Sequence, residues 1–498
     1  MRQWMVAAKK ADFYAIAEKF HVDPVVARII RNREVIGEKN IRIYLGGNLS
    51  DLSDPHQMKD MDRLGEILAQ KIRKQGHIRI IGDYDVDGVT SSHLFLTALR
   101  RVGAKVDVVI PHRIQDGYGL SLHLLQQAKE DGVDTILTCD NGIAAIDEIA
   151  WAKAQKMTVL VTDHHAVPFE EHEGRRTEKK SLADAVVNPH QQDCGYPYKE
   201  LCGAGVAWNV IRVLYENYDM DKREAEDLLD FVAMATVCDV MSLTGENRIL
   251  VKEGLKRIRH TKNIGLQALM QACNVQPENI SAYHFGYVLG PCVNATGRLD
   301  TARHALRLFE TGQETEAEEI ARDLVDLNQE RKELTLQGVE MAKKLCEEGG
   351  YENDPVLVLF LPDVHESIAG LIAGRIREMY NRPVFVLTRG EEGVKGSGRS
   401  TENYSMYENM CGCAELFTKF GGHPMAAGLS LPEENVEKFR RKINENCPLT
   451  VEEVCPDIHI DMAMPVGYAS TELVHQFALL EPFGKDNPSP LFADRNLS

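Results

Sequence analysis

The chain has 498 residues, of which 44% are hydrophobic and 27% charged, with a formal net charge of −18 at pH 7. The length exceeds one compact core and predicts two to four domains of an ordinary soluble globular protein, and no apolar run is long enough to span a membrane. The acidic balance excludes an extended basic face: it favours a small-molecule enzyme, and any polyanion must bind a local basic groove, because phosphate contacts reward clustered Lys and Arg.

The N-terminus, MRQWMVAAKKADF, has lysines where a signal peptide needs its apolar stretch. Eleven cysteines without a CxxC pair make no disulfide framework, so reduced thiols in the cytoplasm are expected. Residues 1–55 form an N-terminal segment of short helical patterns and turns. From 56 to about 190, helical runs alternate with strand-like runs: HIRII, KVDVVIP, TILTC, TVLVT and AVVNP are the strands. That alternation predicts a parallel sheet with flanking helices, an α/β fold. AGVAWNVIRVLYENY and REAEDLLDFVAMATV follow as two helices and close this unit near 245.

Residues 246–312 read as mostly helical, carrying an irregular loop, GPCVNATGRLD, and 314–348 reads as one long charged helix. The stretch 246–348 is therefore taken as a helical insert and connector. A second, smaller α/β unit spans 349–447, with VLVLFL, PVFVLT and AAGLSL as strands and SIAGLIAGRIREMY as helix. Residues 448–498 turn acidic and end without a clear closing element.

The chemistry lies where apolar runs end. After HIRII come Asp83, Asp85 and Asp87 within five residues, then Gly88 and a Thr-Ser-Ser cluster leading into a helix. Like charges this close demand a cation or strong hydration. TILTC ends at Asp140 followed by Asn-Gly, TVLVT ends at Asp163, His164 and His165, and VAMATVC ends at Asp239. One Asp after a strand is usually a turn former or cap, but in a parallel sheet these segments converge on one edge. That predicts a metal site, binuclear, with Asp140 as the bridge. Carboxylates with one or two imidazoles and no thiolate favour Mn²⁺ or Mg²⁺, two ions, suited to phosphoester hydrolysis. Cys139 and Cys238 read as core residues.

These residues resemble a known family. IIGDYDVDGVTSS, TCDNGI and VTDHH are similar to the DHH phosphoesterase superfamily, and LSDPHQMKDMDR, IPHRIQDGYGL and GPCVNATGRLD resemble its RecJ branch. HESIAGLIAGRI, KGSGRS and GGHPMAAGLSL resemble the accompanying DHHA1 domain, and LLEPFGKDNPSPLF resembles the start of an OB-type domain, here cut short. The resemblance implies a DHH catalytic domain over 56–245, a DHHA1 domain over 349–447 and a partial OB-type domain from 448. It implies metal ligation by Asp83, Asp85, Asp87, Asp140, His164 and Asp239, with His165 contacting phosphate or moving a proton and Asp163 fixing an imidazole.

KGSGRS places Lys395, Ser397 and Arg399 among glycines, so backbone N–H groups and a guanidinium are expected to cradle a phosphate, with His423 of GGHPMAAG nearby. Arg113, Asn294 and Arg298 are further substrate-binding candidates in loops, and Tyr118 a base-stacking candidate. The implied activity is 5′→3′ exonuclease action on single-stranded DNA, releasing mononucleotides, in repair and recombination. Implied partners are a single-strand-binding protein and a helicase, with a monomeric enzyme. Two readings compete: a DHH–DHHA1 phosphodiesterase for short oligonucleotides or cyclic dinucleotides, or a pyrophosphatase, and a non-catalytic scaffold. The occupied acidic positions argue against the scaffold.

Overall fold

A computed structural model describes residues 4–112, 116, 119–172, 175–299, 301–351, 353–390, 393–450, 453 and 458–494. Two units divide the chain: Lys9–Asn328 with Pro465–Pro490, and Met1–Ala8 with Gln329–Met464 and Leu491–Ser498.

In the first unit the five β-branched runs become strands β1 (His77–Ile81), β2 (Lys105–Val109), β3 (Thr135–Cys139), β4 (Thr158–Thr162) and β5 (Ala185–Val187). Their order is β2-β1-β3-β4-β5, and every pair is parallel. The chain goes from β1 outward to β2 and then returns to place β3 on the other side of β1. The order therefore reverses between β1 and β3, and at such a switch point the loops leaving the carboxyl ends diverge and leave a crevice.

Helices α1 (Val86–Arg101) and α2 (Gly203–Glu216) pack on this sheet, and α3 (Leu229–Cys238) packs on both of them. α1 begins earlier than the sequence pattern suggests, because Asp85 is its N-cap and accepts from Gly88 N at 3.0 Å. The expected second helix, REAEDLLDFVAMATV (223–237), is split in two, Lys222–Glu226 and then α3.

His93, on α1, is buried with its ring 4.4 Å from Phe231 and 5.8 Å from Phe309. Burial first, then Arg100 and Arg101, push its pKa down to about 3. The unfolded chain binds a proton near 6.5 while the folded one does not, so stability present above pH 6.5 is lost as the pH falls. At pH 5 the loss is about 2 kcal/mol. Urea unfolding at pH 7.5 and 5.0 should show a pH penalty smaller by about this amount in His93→Asn; an unchanged penalty would refute the assignment.

GPCVNATGRLD is not a loop: α4 (Gly290–Leu299) follows directly on a π-helix at Phe285–Leu289. Its periodicity is weak because Cys292, Val293, Ala295, Thr296 and Gly297 are all buried, leaving only Asn294 and Arg298, one turn apart, as a narrow polar stripe to mark a helix. The long helix α5 (Glu314–Glu348) is present over 35 residues. Ala317, Ile320 and Leu324 join the core of the first unit, while Val339, Ala342 and Cys346 join a core of the second.

The second unit contains β6 (Leu357–Phe360), α6 (Glu366–Tyr380), β7 (Val384–Gly390), β8 (Gly393–Arg399), β9 (Lys419–His423) and β10 (Ala426–Leu431). The sheet order is β9-β10-β8-β7-β6, antiparallel except for β6–β7. Among the described residues no helix is long and apolar enough to cross a membrane.

Candidate metal centre

The carboxyl ends of β1, β3 and β4 each release an acidic loop into the switch-point crevice. Asp140 follows β3 in the left-handed region (φ 62°), a conformation Asp tolerates at some cost. Asn141 beside it donates to Ile81 O at 3.0 Å and Cys139 O at 2.9 Å, tying the ends of β1 and β3 together. Asp87, in the first turn of α1, accepts from Gly203 N at 2.6 Å and Ala204 N at 2.7 Å, the start of α2. Positive helix ends favour a carboxylate there. Asp239 is the opposite case: it caps the C-terminus of α3, where the helix dipole disfavours an anion unless a cation is near.

These loops bring all six predicted ligands together. Asp83, Asp85 and Asp140 form one group, and Asp87, His164 and Asp239 form a second, with the candidate ligand atoms inside each group within 4.8 Å of one another. His164 Nε2 lies 3.1 Å from Asp140 Oδ1, 3.6 Å from Asp239 Oδ2 and 3.7 Å from Asp87 Oδ2, which places Asp140 against both groups.

The donor set fits hard cations. His164 Nε2 and Asp239 Oδ2 are buried atoms without a hydrogen bond, an arrangement that costs stability unless something else is bound. Burial, then repulsion from neighbouring carboxylates, pushes Asp85, Asp140 and Asp239 above the ordinary carboxylate range. Burial likewise lowers His164 and keeps its imidazole neutral, the form that ligates metal. Cys139, Cys202 and Cys238 are desolvated and their thiols pushed up, so no thiolate competes.

Asp163 does not point at this cluster. Its Oδ1 accepts from His164 N at 2.7 Å and His165 N at 3.0 Å and holds His165 Nδ1 at 2.8 Å, while Oδ2 accepts from Ile143 N at 2.9 Å. Burial is the largest influence and opposes its charge, but the His165 bond and charge, the Ile143 N–H and His164 together outweigh it and hold Asp163 below the ordinary carboxylate range. His165 in turn is opposed by burial yet raised to about 9 by Asp163 and the nearby carboxylates.

The remaining predicted residues are distributed differently. Asn294, on α4, accepts from Val86 N at 3.1 Å, so its carbonyl oxygen braces the first turn of α1. Arg298 lies on the same helix. Arg113 and Tyr118 fall outside the described residues.

In the second unit, KGSGRS is the middle strand of a sheet, and this corrects the expected backbone cradle. Residues of β8 pair with β7 on one side and β10 on the other, so the ladder consumes those N–H groups. What remains are side chains: Lys395, Ser397 and Arg399 alternate onto one face, and Lys395 pairs with Glu366 of α6 at 2.8 Å. Arg399 and His423 both pair with Ala426, so they share that face on strands flanking β10.

Comparison with known proteins agrees with this architecture. The family model for the DHH family, N-terminal domain, matches residues 77–236, that for the DHHA1 domain 353–447, and that for the RecJ OB domain 460–498. The single-stranded-DNA-specific exonuclease RecJ of Haemophilus influenzae is 36% identical over 440 residues, covering 85% of this chain and 74% of that protein. RecJ of Escherichia coli is 33% identical over 494 residues, covering 94% of this chain and 83% of that protein. Against RecJ of Bacillus subtilis the identity is 33%, and the chain spans 59% of that relative's length. The crystal structure of RecJ in complex with Mn²⁺ from Thermus thermophilus superposes with a TM-score of 0.84 at 28% identity, covering 99% of this chain and 69% of that one. With its two ligand groups at the switch point, the DHHA1-type second sheet and relatives matched over most of both chains, this chain belongs to the RecJ family of single-stranded-DNA-specific exonucleases.

Proposed function

We propose that the chain hydrolyses phosphodiester bonds of single-stranded DNA from the 5′ end, releasing mononucleotides, in repair and recombination. The observation that carries this reading is the pair of three-residue groups around Asp140, an oxygen-rich set of the kind that holds two Mn²⁺ or Mg²⁺ ions. When bound, such ions lower the pKa of a water and neutralise charge developing on the phosphoryl oxygens.

In this reading Asp83, Asp85, Asp87, Asp140, His164 and Asp239 are the ligands. Asp163 fixes the His165 ring through Nδ1, leaving Nε2 for a phosphate oxygen or a proton in transit. On the second sheet Ser397, Arg399 and His423 offer side-chain donors to a terminal phosphate; in the first unit Arg113, Asn294 and Arg298 are separate substrate-binding candidates. The proposed domains are 1–55, 56–245 (DHH), 246–348 (connector), 349–447 (DHHA1) and 448–498 (OB-type). The enzyme acts in the cytoplasm as a monomer, alongside a single-strand-binding protein and a helicase.

Hydrolysis of end-labelled single strands, duplexes and dinucleotides tests the proposal. Long single strands should be degraded and blunt duplexes spared; equal or better turnover of a dinucleotide would favour the short-oligonucleotide phosphodiesterase instead. EDTA should abolish the activity and Mn²⁺ or Mg²⁺ restore it. Recovery with Zn²⁺ alone would contradict the hard-cation argument.

A further inference from the structure

A cavity of about 810 Å³ opens beside Asp239 within the first unit, lined in part by Val240, Arg259, Tyr283, Tyr287 and Lys485. None of these residues belongs to the ligand set. Tyr283 and Tyr287 are 62% and 72% exposed, and their rings are stacked on each other, 5.1 Å between centroids and 25° between planes. Two aromatic faces held in register and open to solvent are unusual for residues that merely pack. A ring pair of this kind can extend its stack onto a flat base.

The charge around them also points to a polyanion. Lys252, Lys256, Arg259 and Lys485 line the cavity, against one carboxylate, Glu481, among its lining residues. On a chain of net charge −18 this is a local concentration of cations. Lys256 is paired with Glu253, whereas Arg259 and Lys485 make no ion pair within 4.0 Å among the described residues.

The surface is mechanically joined to the metal cluster. Tyr287 sits in the π-helix Phe285–Leu289, a distortion often found at functional positions. Cys238 Sγ donates to Phe285 O at 3.3 Å, and a Cβ on Gly290 would collide with that sulfur. Close approach thus locks the tyrosine segment to the residue preceding Asp239. Val240, which follows Asp239, is 63% exposed and lies in the left-handed region at φ 55°, costly for a β-branched residue. Lys485 O accepts from Leu243 N at 2.9 Å, and Arg248 holds this C-terminal segment by donating to Leu479 O at 2.9 Å and Leu480 O at 3.0 Å.

We infer that Tyr283 and Tyr287, with Arg259 and Lys485, form an anchoring site for single-stranded nucleic acid next to the metal cluster: bases stack on the tyrosine pair and the flanking phosphates lie against the two cations. The inference rests on the single-strand reading above and adds a binding site to it.

The test is fluorescence anisotropy of a labelled 20-nucleotide oligothymidylate in EDTA, where no turnover is needed. Tyr283→Ala/Tyr287→Ala should bind about 10- to 100-fold more weakly than the natural chain, since each base stacked on an aromatic ring contributes roughly that factor. Tyr283→Phe/Tyr287→Phe should bind within about threefold of it, because the rings remain. Arg259→Ala and Lys485→Ala should each lower the slope of log Kd against log salt by about 0.7. Unchanged affinity in the alanine pair, or equal losses in the alanine and phenylalanine pairs, would overturn the stacking site. Unchanged salt slopes would overturn the phosphate contacts. If the natural chain binds the strand but cleaves none, the catalytic reading fails while this comparison still decides the anchoring site.

Discussion

Asp140→Asn should lower turnover on single-stranded DNA about 10³-fold or more while leaving the fold intact. The carboxylate faces both ligand groups, with Oδ1 3.1 Å from His164 Nε2 and Asp83, Asp85 and Asp87 among its neighbours. Removing its charge weakens the grip on both cations at once, a loss of several kcal/mol in the transition state, where about 1.4 kcal/mol is a factor of ten. Folding should survive because burial and like-charge repulsion already disfavour the ionised form of Asp140. A neutral amide relieves that repulsion. In EDTA the thermal midpoint of the variant should therefore equal or exceed that of the natural chain. Added Mn²⁺ should raise it less, since a ligand stabilises only in proportion to its affinity for the folded state. Near-normal turnover in Mn²⁺ would show that Asp140 is not the bridge.

The second large effect is expected from a residue with no functional group. Gly203→Ala should lower turnover roughly 100-fold or more and weaken the Mn²⁺ dependence. By helix propensity alone the change looks favourable, up to about 1 kcal/mol. The site reverses that expectation: a Cβ at Gly203 would lie 2.6 Å from Asp140 Cβ and 3.0 Å from its Cα and Cγ. Gly203 N also donates to Asp87 Oδ2 at 2.6 Å, so any recoil of α2 disturbs one residue from each ligand group. Displacements of this order in a catalytic constellation cost about 10²-fold. Gly205→Ala is the control, because its Cβ would meet only side-chain atoms, the nearest being Leu201 Cδ2 at 3.3 Å. A Mn²⁺ titration of activity for both variants decides the matter. If Gly203→Ala titrates and turns over like Gly205→Ala, the close packing of α2 on Asp140 has no catalytic consequence.

The local sequence determined a great deal about this protein. Five short β-branched runs separated by helical periods are enough to specify strands His77–Ile81 through Ala185–Val187, because the β-branched composition of each run and the turn residues after it depend only on neighbours in the chain. The same locality places Asp83, Asp140 and Asp163 where strands end, so convergence at one sheet edge could be read without coordinates.

Other features were decided by tertiary structure. The order β2-β1-β3-β4-β5 puts the switch point between β1 and β3, and no local pattern encodes which strand lies beside which. Gly290–Leu299 is a helix buried over most of its circumference, which narrows the polar stripe that would have announced it to Asn294 and Arg298. Gly393–Arg399 is an interior strand because β7 and β10 take up its backbone groups; alone, a run of alternating glycines looks like a loop. The stacked pair Tyr283 and Tyr287 is four residues apart and carries no motif, so its meaning comes from Cys238 and Lys485, distant in sequence and brought beside it by folding. In each case the deciding interaction joins residues far apart in the chain, and a sequence pattern reports only on residues that are near.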